Sequence, residues 1–243
     1  MTAWPSPSRA LRVLVGEGDL ASFRRVGEDC LGQLLAAGLP LQGRVLEIGC
    51  GCGRIAAPLS RVLGARATYL GLDVRSDLIA YGREEITPRD GRFRFERLDL
   101  KHPFYNPRGR GDAARLRLSG IGRFDFVILI SVLTHLDWTE TRHYLSEVRR
   151  LLAPGGLAFV TFYLHSPRLR STRGPRFDAL FPFRAGRARF NVGAHAFSHE
   201  ERGVLEACAK AGLSLSRPII YGDWTAASPG PWPPQDALVL SPA

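Results

Sequence analysis

Lysine and asparagine are nearly absent from this sequence. Lys101 and Lys210 are its lysines, Asn106 and Asn191 its asparagines. Lys and Arg together still number 33 against 23 acids, a formal net charge of +10. A basic balance carried almost wholly by arginine fits a GC-rich coding bias better than a surface built for polyanions, so nucleic acid is a disfavoured partner. Cysteine is sparse. Cys30, Cys50, Cys52 and Cys208 have no Cys or His at zinc-finger spacing, which points to reduced thiols and to neither a disulfide framework nor a metal site. Long apolar runs are missing as well. The longest, Phe124 to Leu136, contains Asp125 and falls short of the roughly 18–20 residues that span a bilayer. Near the N-terminus the apolar stretch Leu11 to Val15 is interrupted by Arg12, unlike a secretory leader. The expectation is a cytoplasmic protein without a membrane anchor. No internal repeat is visible.

The chain has 243 residues, 45% of them hydrophobic, enough for one sizeable core in a single α/β domain. Asp19 to Leu39 carries apolar residues at helical spacing and is stopped by Gly38 and Pro40. Strands are predicted over Arg44–Ile48, Ala67–Leu72, Arg92–Leu98, Phe124–Ile130, Leu157–Tyr163, Leu213–Tyr221 and Ala237–Leu240. Helices are predicted over Ile55–Leu63, Arg75–Ile86 with Ser76 as N-cap, and Thr139–Leu152. A further helix to about Ala211 is predicted to open at Ser198-His199-Glu200-Glu201, which has a capping-box pattern. The alternation predicts a doubly wound, mostly parallel sheet with helices on both faces. Two stretches break the rhythm: Lys101–Gly122, and His165–Ala196 with its three prolines. Both leave the carboxyl ends of strands, where ligands of such sheets sit, so they are expected to be binding loops or lids.

Chemistry concentrates at Glu47-Ile48-Gly49-Cys50-Gly51-Cys52-Gly53-Arg54. Glycines at a strand-to-helix turn let the backbone curl and a ligand approach closely. The spacing is G-x-G-x-G and not the dinucleotide G-x-G-x-x-G. Glu47, two residues before the first glycine, would repel a pyrophosphate and suits a ligand amino group. Asp73 ends the second strand, where a carboxylate accepts both hydroxyls of a ribose. Asp99 ends the third, where a carboxylate accepts an adenine amino proton and the next backbone amide, of Leu100, reaches the ring. An acid at each of three successive strand ends is unlikely by chance, and the glycine spacing and Glu47 argue against a nicotinamide oxidoreductase.

Followed by Phe124-Asp125-Phe126-Val127 and Leu152-Ala153-Pro154-Gly155-Gly156, this set resembles the class I S-adenosylmethionine-dependent methyltransferases over roughly Arg44 to Tyr163. The resemblance implies a Rossmann-like sheet of seven strands with the last antiparallel. The methyltransferase domain would be 44–243, with an N-terminal helical extension over 1–43 and a lid insertion at about 165–196. It implies S-adenosyl-L-methionine as cofactor, held by Glu47, Gly49, Cys50, Gly51, Arg54, Asp73, Val74, Asp99, Leu100, Ile130 and Ser131. Ser131-Val132-Leu133-Thr134-His135-Leu136, Tyr105-Asn106-Pro107-Arg108-Gly109 and Tyr221-Gly222-Asp223-Trp224 look like a bacterial branch acting on small molecules. A small-molecule acceptor is therefore expected, with O-methylation favoured and a saccharide or secondary metabolite as its class. No [DNS]-P-P-[YFW] turn follows the fourth strand and no cysteine follows the fourth or fifth, which opposes base amino-methylation and cysteine-adduct chemistry. An RNA methyltransferase and a catalytically silent cofactor-binding module are the rival readings. His135, beside the expected methyl position, is the first candidate for general base, because an imidazole titrates near neutrality.

Overall fold

Residues 4–169, 175–185, 187–191, 195–224 and 234–243 are described in a computed structural model of the chain. Seven strands form the main sheet: β1 (Arg44–Ile48), β2 (Thr68–Asp73), β3 (Phe93–Arg97), β4 (Phe124–Leu129), β5 (Leu152–Phe162), β10 (Leu213–Leu215) and β11 (Asp236–Pro242). Their order across the sheet is β3-β2-β1-β4-β5-β11-β10. β11 runs antiparallel to both β5 and β10, and the pairs from β3 through to β5 are parallel. This is the expected Rossmann-like arrangement, and the strand order reverses between β1 and β4.

Period-two alternation explains the two cores. In β1, Val45 packs on one face with α2 (Leu20–Ala36) and α3 (Ala56–Val62), through Cys30, Leu34, Ile55 and Leu59. Leu46 and Ile48 face the opposite core, shared with α5 (Trp138–Leu151) and α7 (Glu201–Lys210) through Leu145, Val148 and Val204. With both faces covered, β4 reads as an unbroken apolar run apart from Asp125, and Phe126 to Leu129 are fully buried. Asp125 takes the Arg44 amide at 2.8 Å and so ties the start of β1 to β4.

The N-terminal segment is not a separate appendage. Asp19 caps α2 by accepting from the Ser22 amide, and Phe23, Val26, Cys30 and Leu34 are buried. Before it, α1 (Arg9–Leu14) has no buried residue of its own. It is strapped down by Tyr81 Oη donating to the Pro5 carbonyl at 2.6 Å and Arg54 Nη1 donating to the Val15 carbonyl at 3.1 Å.

Several sequence expectations require correction. α4 spans Ser76–Tyr81 with Arg75 at its N-cap, and the turn over Gly82–Ile86 is π-type, so Ser76 is inside the helix. The helix expected from Thr139 starts one residue earlier, capped by Asp137 with Glu140 in a reciprocal capping box. The capping box expected at Ser198 is absent. Ser198 and His199 belong to strand β9 (Ala196–Glu200), and no side chain caps α7. The strand predicted over Leu213–Tyr221 ends at Leu215, leaving only a bridge from Ile220 to Ala237. Within His165–Ala196, the described residues are not irregular. Residues of β6 (Leu164–His165), β7 (Phe183–Ala185), β8 (Ala188–Asn191) and β9 form a second, four-stranded sheet in the order β6-β9-β8-β7, with α6 (Pro175–Leu180) beside it. Short strands rich in arginine carry little apolar alternation, which is why the sequence reads as loop there. Residues 170–174, 186 and 192–194 of that segment lie outside the described residues.

Candidate functional site

A cavity of about 370 Å³ opens at the carboxyl ends of β1, β2 and β4, the switch point where ligands of doubly wound sheets bind. Its size falls in the roughly 300–1,000 Å³ range of small-ligand sites. Of the expected cofactor residues, Glu47, Gly49, Cys50, Gly51, Arg54, Asp73, Val74, Leu100, Ile130 and Ser131 line it, and His135 does too. A larger open groove of about 570 Å³ runs behind the glycine turn along the N-terminal segment, but it holds neither strand-end carboxylate nor His135. The smaller cavity is therefore the candidate site.

The glycine turn forms one wall. Gly49 and Gly51 have φ of 79° and 56°, conformations that L side chains rarely adopt. A Cβ on Gly49 would lie 2.4 Å from Val132, and one on Gly51 would lie 2.7 Å from Val15. The turn is thus pressed against the segment after β4 and roofed by the N-terminal segment. Leu14, Val15 and Gly16 line the cavity, a contribution the sequence gives no sign of.

Two carboxylates stand at one end. Glu47 is 3% exposed; burial pushes its carboxyl up to about 7, against the pull of the Tyr69 hydroxyl that donates to it and of the nearby Arg54. Asp73 accepts from the Gly51 amide at 2.9 Å and from the Arg75 amide at 2.9 Å. Burial raises its carboxyl too, and those amides oppose the rise. Each oxygen still has a lone pair for a ligand hydroxyl. A backbone cradle that a Cβ would fill, with one carboxylate for an ammonium and one for vicinal hydroxyls, fits an aminoacyl nucleoside cofactor. Asp99 is placed differently. Its carboxylate accepts from Arg97 at 3.0 Å and Arg110 at 2.9 Å, it is absent from the cavity lining, and Leu98 and Leu100 flank the space instead. Its Oδ2 keeps a further lone pair, as at Asp73.

The other end is built by long-range contacts. Beyond β4, Ser131 takes a φ of 59° and its amide donates to Thr161 Oγ1 at 2.9 Å. Gln235 joins this group, accepting from Thr161 Oγ1 at 2.6 Å and donating to Ser131 Oγ at 2.8 Å and Tyr163 Oη at 3.3 Å. A 3-10 turn over Leu133–His135 then carries the imidazole inward. His135 Nδ1 donates to the His195 carbonyl at 2.7 Å. A carbonyl only accepts, so Nδ1 holds the proton and Nε2 offers a lone pair. Tyr105 Oη donates to that Nε2 at 3.2 Å. Burial lowers the His135 pKa, keeping the ring neutral, and pushes the Tyr105 phenol up to about 12.

Tyr105 is held by the hairpin-like turn His102–Asn106, in which the two end residues exchange backbone hydrogen bonds at 3.0 and 3.1 Å. His102 Nδ1 accepts from the Phe104 and Tyr105 amides, and its Nε2 faces the His135 carbonyl at 3.3 Å. Tyr105 belongs to the sequence motif Tyr105–Gly109, while Tyr163 directly follows β5 and Gln235 directly precedes β11. No described residue of the expected lid lines the cavity. That segment meets the site through the His195 carbonyl and through Phe177 and Phe181, which cluster with Tyr163 and Trp224. Phe183 is exposed, and Phe190 packs on Phe197 with ring centroids 4.6 Å apart. The four cysteines are buried and unbridged. Among the described residues no cluster could hold a metal ion, and no helix is long and apolar enough to cross a membrane.

Residues 46–158 match a family model described as a methyltransferase domain. An arsenite methyltransferase of Aquipseudomonas alcaligenes is 31% identical over 113 residues, covering 46% of this chain and 30% of that protein. A ubiquinone biosynthesis O-methyltransferase of Cereibacter sphaeroides is 31% identical over 138 residues, covering 55% of this chain and 47% of that protein. The chain thus spans less than half of either curated relative. In fold, it resembles the magnesium protoporphyrin IX methyltransferase of Synechocystis with bound SAH, at a TM-score of 0.59 and 20% identity over 97% of this chain and 93% of that one.

Proposed function

Because the chain belongs to the class I S-adenosylmethionine-dependent methyltransferase family, we propose that it transfers a methyl group from S-adenosylmethionine to a hydroxyl of a small-molecule acceptor. One observation carries the reading: a single cavity holds two strand-end carboxylates, Glu47 and Asp73, at one end and a neutral imidazole, His135, whose Nε2 is an acceptor paired with the Tyr105 hydroxyl, at the other. Glu47 would take the cofactor's ammonium and Asp73 its ribose hydroxyls. When bound, the cofactor supplies a methyl already activated by a positive sulfur. The chain then has to hold the acceptor in line, exclude water and remove one proton. Leu14, Val15 and Gly16 close the cofactor end. Ser131, Tyr163 and Gln235 offer hydroxyl and amide groups to orient a polar acceptor. The segment 165–196 serves as an outer lid, acting on the acceptor end by way of His195 and the Phe177–Phe181 cluster. The small-molecule substrates in the names of the two curated relatives support this acceptor class.

Calorimetry with S-adenosylhomocysteine and with NAD tests the cofactor half; saturable NAD binding without S-adenosylhomocysteine binding would refute it. A metabolite extract incubated with methyl-labelled cofactor identifies the acceptor. On that acceptor, His135→Gln should lose about 10²–10⁴-fold in turnover, the usual share of acid–base catalysis. Near-normal turnover with an unchanged pH profile would reduce His135 to a scaffold.

A further inference from the structure

Tyr105 and His135 stand side by side in the cavity wall. The Tyr105 hydroxyl donates to His135 Nε2 at 3.2 Å. The far side of the imidazole is already committed, because Nδ1 donates to the His195 carbonyl at 2.7 Å. The lone pair expected to accept the acceptor's proton is thus covered by a phenol. The rings of Tyr105 and His135 lie edge to face, at 80° with centroids 5.2 Å apart, so the contact is a packed one and not a grazing approach. The turn that carries Tyr105 is in turn clamped to the His135 backbone by His102.

We propose that Tyr105 is a catalytic residue: its hydroxyl receives the proton of the acceptor hydroxyl while passing its own proton to His135 Nε2. The idea rests on the methyltransferase reading given above and deepens it by assigning the group that touches the acceptor. The step balances. The acceptor oxygen gains the methyl and loses its proton, the C–S bonding pair stays on sulfur and cancels its charge, and Tyr105 ends as it began. The net proton resides on His135 as an imidazolium, and its Nδ1–H remains bonded to the His195 carbonyl. Two further imidazoles face this ring. His102 approaches through the His135 carbonyl, and His195, whose ring stacks on Phe104 with centroids 5.0 Å apart, lies across the turn. Both work against a charged His135. No carboxylate touches the ring among the described residues. The imidazolium therefore forms only beside a negative oxygen, whether the acceptor's developing one or that of a bound phenolate.

4-Nitrophenol, whose ionised form is yellow, reports the proton transfer without turnover. It is titrated into protein saturated with S-adenosylhomocysteine at mildly acid pH, using wild type, Tyr105→Phe and His135→Gln. An oppositely charged partner within reach shifts ionisation by about 1–3 units, and each unit is tenfold. Wild type should therefore hold at least about tenfold more of the bound phenol in ionised form than either variant. S-adenosylhomocysteine affinity, measured in the same samples, reports whether each variant keeps its fold. Absent S-adenosylhomocysteine binding in wild type would sink the methyltransferase reading itself. With that binding intact, the relay is overturned by un-ionised phenol in wild type, by equal ionisation in Tyr105→Phe, or by no saturable phenol uptake at all.

Discussion

Cofactor affinity should depend on pH through Glu47. The perturbation is a change from pH 8 to pH 6. In the ligand-free protein burial brings the Glu47 carboxyl to about 7, so it is about nine-tenths ionised at pH 8 and about one-tenth ionised at pH 6. An ammonium seated against it favours the charged form, so binding expels a proton and affinity rises with pH until Glu47 is ionised. The expected loss from pH 8 to pH 6 is about tenfold, or ~1.4 kcal/mol. Burial lowers the titration of His135, opposite in direction to the rise at Glu47. Calorimetry of S-adenosylhomocysteine binding in two buffers of different ionisation enthalpy reads the released proton directly: nearly one at pH 6, almost none at pH 8. Glu47→Gln keeps the shape and a partner for the Tyr69 hydroxyl but cannot ionise, so it should bind weakly with a flat pH profile. Buffer-independent heats in wild type, or an unchanged pH dependence in Glu47→Gln, would refute the assignment of Glu47 to the ammonium.

Asp73→Ala should weaken S-adenosylhomocysteine binding by about 1.5–3 kcal/mol, the range for hydrogen bonds to a charged group; equal discrimination by mutant and wild type against a 2′,3′-dideoxy analogue would remove Asp73 from the ribose. Gly51→Val should abolish cofactor binding by calorimetry, because a side chain there meets Val15 in the roof and must hold a φ of 56°. The imidazole of His199 is buried and neutral, with its pKa lowered to about 4 by desolvation. A histidine with a depressed folded pKa contributes fully above its unfolded value near 6.5 and loses stability as pH falls toward 4. Urea unfolding should therefore show wild type losing roughly 2 kcal/mol relative to His199→Leu between pH 7 and pH 5. A stability difference that does not change with pH would show that His199 titrates normally.

The glycine turn, the acids at the strand ends and the alternation of strand and helix were legible in the sequence because each is set by near neighbours. A glycine at positive φ, a carboxylate closing a strand, or a β-run with period two leaves its mark within a few residues. The order β3-β2-β1-β4-β5-β11-β10 followed from the family resemblance those marks support. What surrounds the reacting atoms was not legible. Tyr105 and His135 are 30 residues apart, and His135 and His195 are 60 apart. Nothing local in any of the three segments encodes that they meet. Asp99 adds a case between: its position at a strand end is local, but its bond to Arg110 comes from 11 residues away. The second sheet was hidden for another reason. Its strands are three to five residues long apart from the two-residue β6, too short for periodicity to register, and the cluster of Phe177, Phe181 and Trp224 beside it touches the sheet through Ala196. Sequence alone determined the scaffold and the glycine-turn end of the cavity, where backbone geometry sets what can bind. Tertiary packing decided the other end, where the tautomer and proton inventory of one histidine depend on a carbonyl and a phenol brought from distant parts of the chain.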